Sequence, residues 1–110
     1  MPKNLFPLDS SKSFPEQDIV GHNRWHPDIP AAVTVNPGDS FRIDCREWFD
    51  GHIKNDDSAE DILTAPVSKV HALSGPFHVK GAKPGDLLIV DILDIGAIPQ
   101  EEGPLAGQGW

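Results

Sequence analysis

Hydrophobic and polar positions alternate most cleanly along 41–46. Phe41, Ile43 and Cys45 fall on one side, and Arg42, Asp44 and Arg46 on the other. That period of two is the signature of a strand with one apolar face. Upstream, 31–35 is a short stretch rich in β-branched residues, and Asn36-Pro37-Gly38-Asp39 lies between the two. Pro followed by Gly suits the central positions of a type II turn. The pattern therefore predicts a hairpin, with strands over 31–35 and 40–45.

The second half has a similar outline. A strand is predicted over 76–80, a turn at Lys83-Pro84-Gly85-Asp86, and a return strand over 87–95. Leu87-Leu88-Ile89-Val90 is an unbroken apolar run, which predicts a strand buried on both faces. From Asp91 to Ile95 charge is interleaved and the strand is expected to surface. One helical turn is predicted over 59–63, with Ser58 as its cap and Pro66 as its stop. Two strand-turn-strand units indicate a mainly β fold. The shared Pro-Gly-Asp tripeptide is too common a turn solution to establish a repeat.

The ends read differently. Residues 1–19 hold Pro2, Pro7 and Pro15 with scattered Leu5, Phe6, Leu8 and Phe14, an extended arm expected to lie across another surface of this chain or a partner's. Residues 20–95 form the β-rich portion. In 96–110, Ile98 and Leu105 stand among glycines and prolines, and Trp110 is last. That stretch is expected to be a tail or an interrupted continuation.

Composition narrows the partners. The 110 residues carry a net charge of −8, so nucleic acid and anionic membrane surfaces, which need a basic face, are not expected partners. Apolar residues make up 38%, low for a self-sufficient core. A single Cys gives no internal disulfide and fits a reducing compartment. No apolar run approaches the ~20 residues that span a bilayer, and Met1-Pro2-Lys3-Asn4 lacks the apolar core of a signal peptide. A soluble, cytoplasmic protein is the expectation.

Candidate chemistry gathers just past the 41–46 strand, where Glu47, Asp50, His52, Asp56 and Asp57 crowd around Trp48 and Phe49. Acids, an imidazole and two large aromatics at a strand end suit a functional loop. They equally suit an acidic surface loop pinned by its aromatics. His22 and His26 bracket Arg24 and Trp25, but Pro27 and Pro30 deny the helix that a four-residue His spacing needs to bind metal. Cys45 shares the apolar face and is expected to be buried, not a thiolate nucleophile. His71 and His78 have no acidic neighbours in sequence and read as packing or surface groups.

Several segments, taken in order, resemble the acetamidase/formamidase family. They are Pro37-Gly38-Asp39, Asp44-Cys45, Gly51-His52-Ile53, Leu73-Ser74-Gly75-Pro76-Phe77, Gly81-Ala82-Lys83-Pro84-Gly85-Asp86 and Val90-Asp91-Ile92-Leu93-Asp94-Ile95. His22-Asn23-Arg24-Trp25-His26-Pro27-Asp28-Ile29-Pro30, with 44–53, leans toward formamidase. The resemblance runs from about residue 18 to residue 95. It implies the N-terminal portion of a larger β-rich, sandwich-like enzyme that hydrolyses short aliphatic amides such as formamide to carboxylate and ammonia. Members are much longer, so the remaining pocket residues are expected from the rest of the enzyme or from sister subunits in a homo-oligomer.

Amide hydrolysis needs an activated water or nucleophile, donors for the oxyanion and an acid for the leaving ammonia. The first candidate is Asp44, to orient a base or hold a metal ion; pairing with Arg42 or Arg46, or capping the loop, is its structural alternative. Glu47 is a candidate base or ligand, His52 an acid–base group or ligand, and Trp48 a substrate-binding wall. The cofactor is left open; a divalent cation such as zinc would suit water activation. Two rival readings stand beside the amidase. One is a truncated, non-catalytic β module; the other is a small metal-binding protein using His22, His26, Asp44 and His52.

Overall fold

The computed structural model describes residues 2–54 and 56–98. Four short strands dominate its regular structure: β1 (Lys3–Phe6), β2 (Val33–Val35), β3 (Phe41–Ile43) and β4 (Phe77–Val79). One helical turn, α1 (Glu60–Leu63), and two 3-10 turns at Phe14–Glu16 and Val67–Lys69 complete it. The fold is β-rich, as the alternation predicts.

The strands pair in parallel, in two separate sheets. β1 lies beside β3 with Lys3 opposite Phe41, and β2 lies beside β4 with Val33 opposite Phe77. The hairpin expected over 31–45 therefore does not form. Its turn does: the Asp39 N–H donates to the Asn36 carbonyl at 3.1 Å, and Gly38 has φ +85°. A type II turn splays its flanking strands, whereas the primed turns match their twist. Here the turn hands the chain from one sheet to the other.

Phe6 is the hinge between the sheets. It is fully buried, 6.5 Å from the Phe14 ring and 6.2 Å from Phe77, which stacks on Phe41 at 5.5 Å. Among the described residues the buried apolar set is Phe6, Phe14 and Val35. Phe6 and Phe14 thus anchor the N-terminal segment to the fold, and its β1 lies against the chain's own β3. Gln17 ties the 9–17 loop together: it is buried, accepts from the Asp9 N–H at 2.8 Å and donates to the Asp9 carbonyl at 2.8 Å.

The second unit departs further from its predicted form. The Lys83–Asp86 turn closes as expected, with Gly85 at φ +94° and the Asp86 N–H on the Lys83 carbonyl at 3.0 Å. Both Pro-Gly-Asp turns carry the same extra bond, from the first residue's N–H to the aspartate carboxylate, at 2.9 Å in one and 2.8 Å in the other. Yet 87–95 pairs with no described strand, and its aliphatics are exposed, from 59% at Leu88 to 88% at Leu87. The burial expected on both faces needs neighbours that the described residues do not supply. The Ser58 hydroxyl does accept from the Glu60 N–H at 3.2 Å, at the start of α1. Residues 99–110 of the tail, Trp110 included, lie outside the described residues.

No described helix is long and apolar enough to cross a membrane.

Candidate functional site

The acidic loop begins where β3 leaves β1, and Asp44 marks that point. Its N–H donates to the Phe6 carbonyl at 3.0 Å, and its own carbonyl accepts from the Ser74 hydroxyl at 2.6 Å. One carboxylate oxygen, Oδ2, accepts from Asn4 Nδ2 at 2.9 Å and from the Leu8 N–H at 3.2 Å. The other faces Arg42, at 3.3 Å from both Nε and Nη2. Asp44 is 8% exposed, so at this position the polar side of the alternation turns inward, while Arg42 stays exposed. Ile43 and Cys45 face out: Ile43 is 39% exposed and Cys45 is a free, exposed thiol. Burial of Cys45 is thereby corrected. Asn4 on β1 and the Leu8 N–H just beyond it are donors at this level, and a carboxylate satisfies them better than a thiol.

Glu47 shapes the loop that follows. Its two carboxylate oxygens accept from the Phe49 and Gly51 N–H groups, each at 2.8 Å, and its carbonyl accepts from the Asp50 N–H at 2.9 Å. The side chain is exposed. His52 is half-buried, with Nε2 3.0 Å from the Thr64 hydroxyl, which links the loop to the end of α1. Trp48 packs on Phe49 at 4.0 Å and stacks on His71 at 5.2 Å and 21°. Half of its surface remains open.

Asp50, one of the acids crowded into this loop, is its buried anchor. Its side chain is 4% exposed; Oδ1 accepts from Arg46 Nε at 2.9 Å and from the Phe14 N–H at 3.0 Å. Its φ is +59° and that of Gly51 is +74°. Asp and Gly tolerate this left-handed region better than other residues. The adjacent Asp-Gly pair was the available signal. Asp50 also borders a groove of about 230 Å³, with Phe14, Val20 and Gly21 on its wall and His22, Asn23 and Lys69 at its rim.

The His22–His26 segment is extended, as the prolines require. His22 exchanges backbone bonds with Leu73, at 3.0 and 2.8 Å, and its Nδ1 meets the Arg24 carbonyl at 2.8 Å. Among the described residues no three His, Cys, Asp or Glu side chains come together as a metal-binding group. The proposed ligand set of His22, His26, Asp44 and His52 is thus not assembled, and a divalent cation here would need donors from elsewhere.

Hydrogen bonds tune the charged groups of the 9–18 loop. Hydrogen bonds from the Ser11 hydroxyl and N–H, helped by Lys12, hold the Asp9 carboxyl below its usual range. Those from Ser13 do the same for Glu16, and the bond to Asp18 raises Lys12.

Comparison with known proteins sets this geometry in context. A family model described as the Acetamidase/Formamidase family matches residues 7–110. An acetamidase of Mycolicibacterium smegmatis is 60% identical over 110 residues, covering 100% of this chain and 27% of its own length. A formamidase of Methylophilus methylotrophus is 49% identical over 100 residues, 91% of this chain and 25% of its own. In structure, a gamma lactamase from Delftia acidovorans superposes with a TM-score of 0.83 at 54% identity, over 87% of this chain and 23% of the other. The chain spans about a quarter of the length of the curated relatives it matches, in their N-terminal part.

Proposed function

Because the chain belongs to the acetamidase/formamidase family, we propose that it forms the N-terminal part of a hydrolase of short aliphatic amides. Water adds across the C–N bond, and the products are a carboxylate and ammonia. The observation that carries this reading is near-complete coverage of the chain by an acetamidase at 60% identity and a formamidase at 49%. Formamide and acetamide are the substrates of first choice. The gamma lactamase likeness makes a small cyclic amide the next to try.

The roles follow from what each side chain is free to do. The Asp44 carboxylate is spent on Asn4, Leu8 and Arg42, which makes it a positioning residue for the strand end. Glu47 is bonded through both oxygens to loop N–H groups and fixes the placement of Trp48 and His52. His52, half-buried beside Thr64, is our candidate to give a proton to the leaving ammonia. The open side of Trp48 is the candidate wall for the substrate's alkyl group. Remaining pocket groups come from the rest of the enzyme or from sister subunits. A homo-oligomeric enzyme in the cytoplasm belongs to this reading, and the free thiol of Cys45 supports the reducing compartment alone.

A second reading, a non-catalytic β module, is favoured by one observation. Asp44, Glu47 and Asp50 are all engaged in holding the fold. Ammonia release from formamide and acetamide separates the two, measured on this chain joined to the remaining three quarters of the acetamidase. The amidase reading predicts turnover that falls at least ~100-fold in His52→Ala with the fold retained. No turnover on either amide would leave the binding module.

A further inference from the structure

Resting on the amidase reading, we propose that residues 87–95 are a docking strand. Its partner is a β-sheet in the C-terminal part of an acetamidase/formamidase polypeptide, into which it inserts with both faces covered. The aliphatics of this run are 59% to 88% exposed, whereas single exposed aliphatics are ordinary and contiguous ones mark interaction surfaces. In an extended chain Leu88, Val90 and Ile92 share one face, and Leu87, Ile89 and Leu93 the other. An apolar pattern on both sides is that of an interior strand. A second copy, adding one strand to an edge, would leave a face in water.

The surroundings agree. The Lys83–Asp86 turn is a hydrogen-bonded type II turn with Gly85 at φ +94°, and it carries the chain off β4 instead of back along it. The described core is small, with Phe6, Phe14 and Val35 its buried apolar residues, and 87–95 adds none to it. A radius of gyration of 16.0 Å exceeds the ~13 Å of a compact chain this long. The relatives match nearly all of this chain in about a quarter of their own length, so their remaining sequence can supply the receiving sheet.

The test is to co-express this chain with the C-terminal three quarters of the 60% identical acetamidase as a separate polypeptide. Affinity and amide exchange of 87–95 are then measured. A 1:1 complex with 87–95 newly protected is expected. Leu88→Asp and Ile89→Asp, on opposite faces, should each weaken it ~100-fold, the effect of a charge at an interface hot spot. Leu63→Asp, more exposed than either but outside the run, should not. Absence of a complex overturns the proposal, as does a complex that leaves 87–95 unprotected or a loss confined to one face. Self-association of this chain alone through Ile89 overturns it in favour of a second copy. A protected complex that releases no ammonia would keep the docking strand and sink the amidase reading instead.

Discussion

The Asp50 carboxylate shows how much one loop acid can hold. It is buried, ties Arg46 to the Phe14 N–H and sits at φ +59°. Asp50→Ala leaves a half-buried guanidinium and an N–H without their partner, which costs about 2 kcal/mol; urea denaturation would register it. Gly21→Ala tests the packing beside it. A Cβ there collides with the Phe14 ring and the Leu73 carbonyl, an overpacking cost of about 2 kcal/mol or more. Cys45 gives a simpler check: its exposed thiol should react with an aromatic disulfide in the native state at nearly the rate found in urea. At this scale the sequence was half legible. The loop's residues were identified, but the strand's alternation does not say which face meets β1. Inversion of the Asp44 and Cys45 sides followed from the donors on Asn4 and Leu8, which no local pattern displays.

Among elements, both Pro-Gly-Asp turns, α1 and the presence of strands near 33, 41 and 77 were readable, because turn chemistry and β-branched runs act locally. Pairing was not. β1 meets β3 and β2 meets β4 across long separations, and parallel partners leave no turn between them to announce the match. The 9–18 loop yields a pH prediction. Asp9 and Glu16 have carboxyls lowered by Ser11 and Ser13 donors. Their contribution is present above the unfolded carboxylate values and lost as pH falls through the lowered folded ones. Amide exchange at Ser11 and Ser13 should therefore be slow from pH 5 to 7, after correction for intrinsic rates, and quicken below about pH 4. Exchange unchanged across that window would remove these bonds from the account.

At the scale of the whole molecule, the small aromatic core around Phe6 and the bare aliphatic run over 87–95 belong together. One holds two short sheets in register, and the other waits for a sheet that these residues do not provide. The same division runs through the candidate site, where the acids serve as scaffold and His52 and Trp48 are the groups proposed for chemistry. The most direct measurement is ammonia release from acetamide, first by this 110-residue chain alone and then by the chain completed with the remaining part of its acetamidase relative. No release from the chain alone and clear turnover on completion is the predicted result. Turnover by the chain alone would contradict it, because these 110 residues would then hold a whole active site.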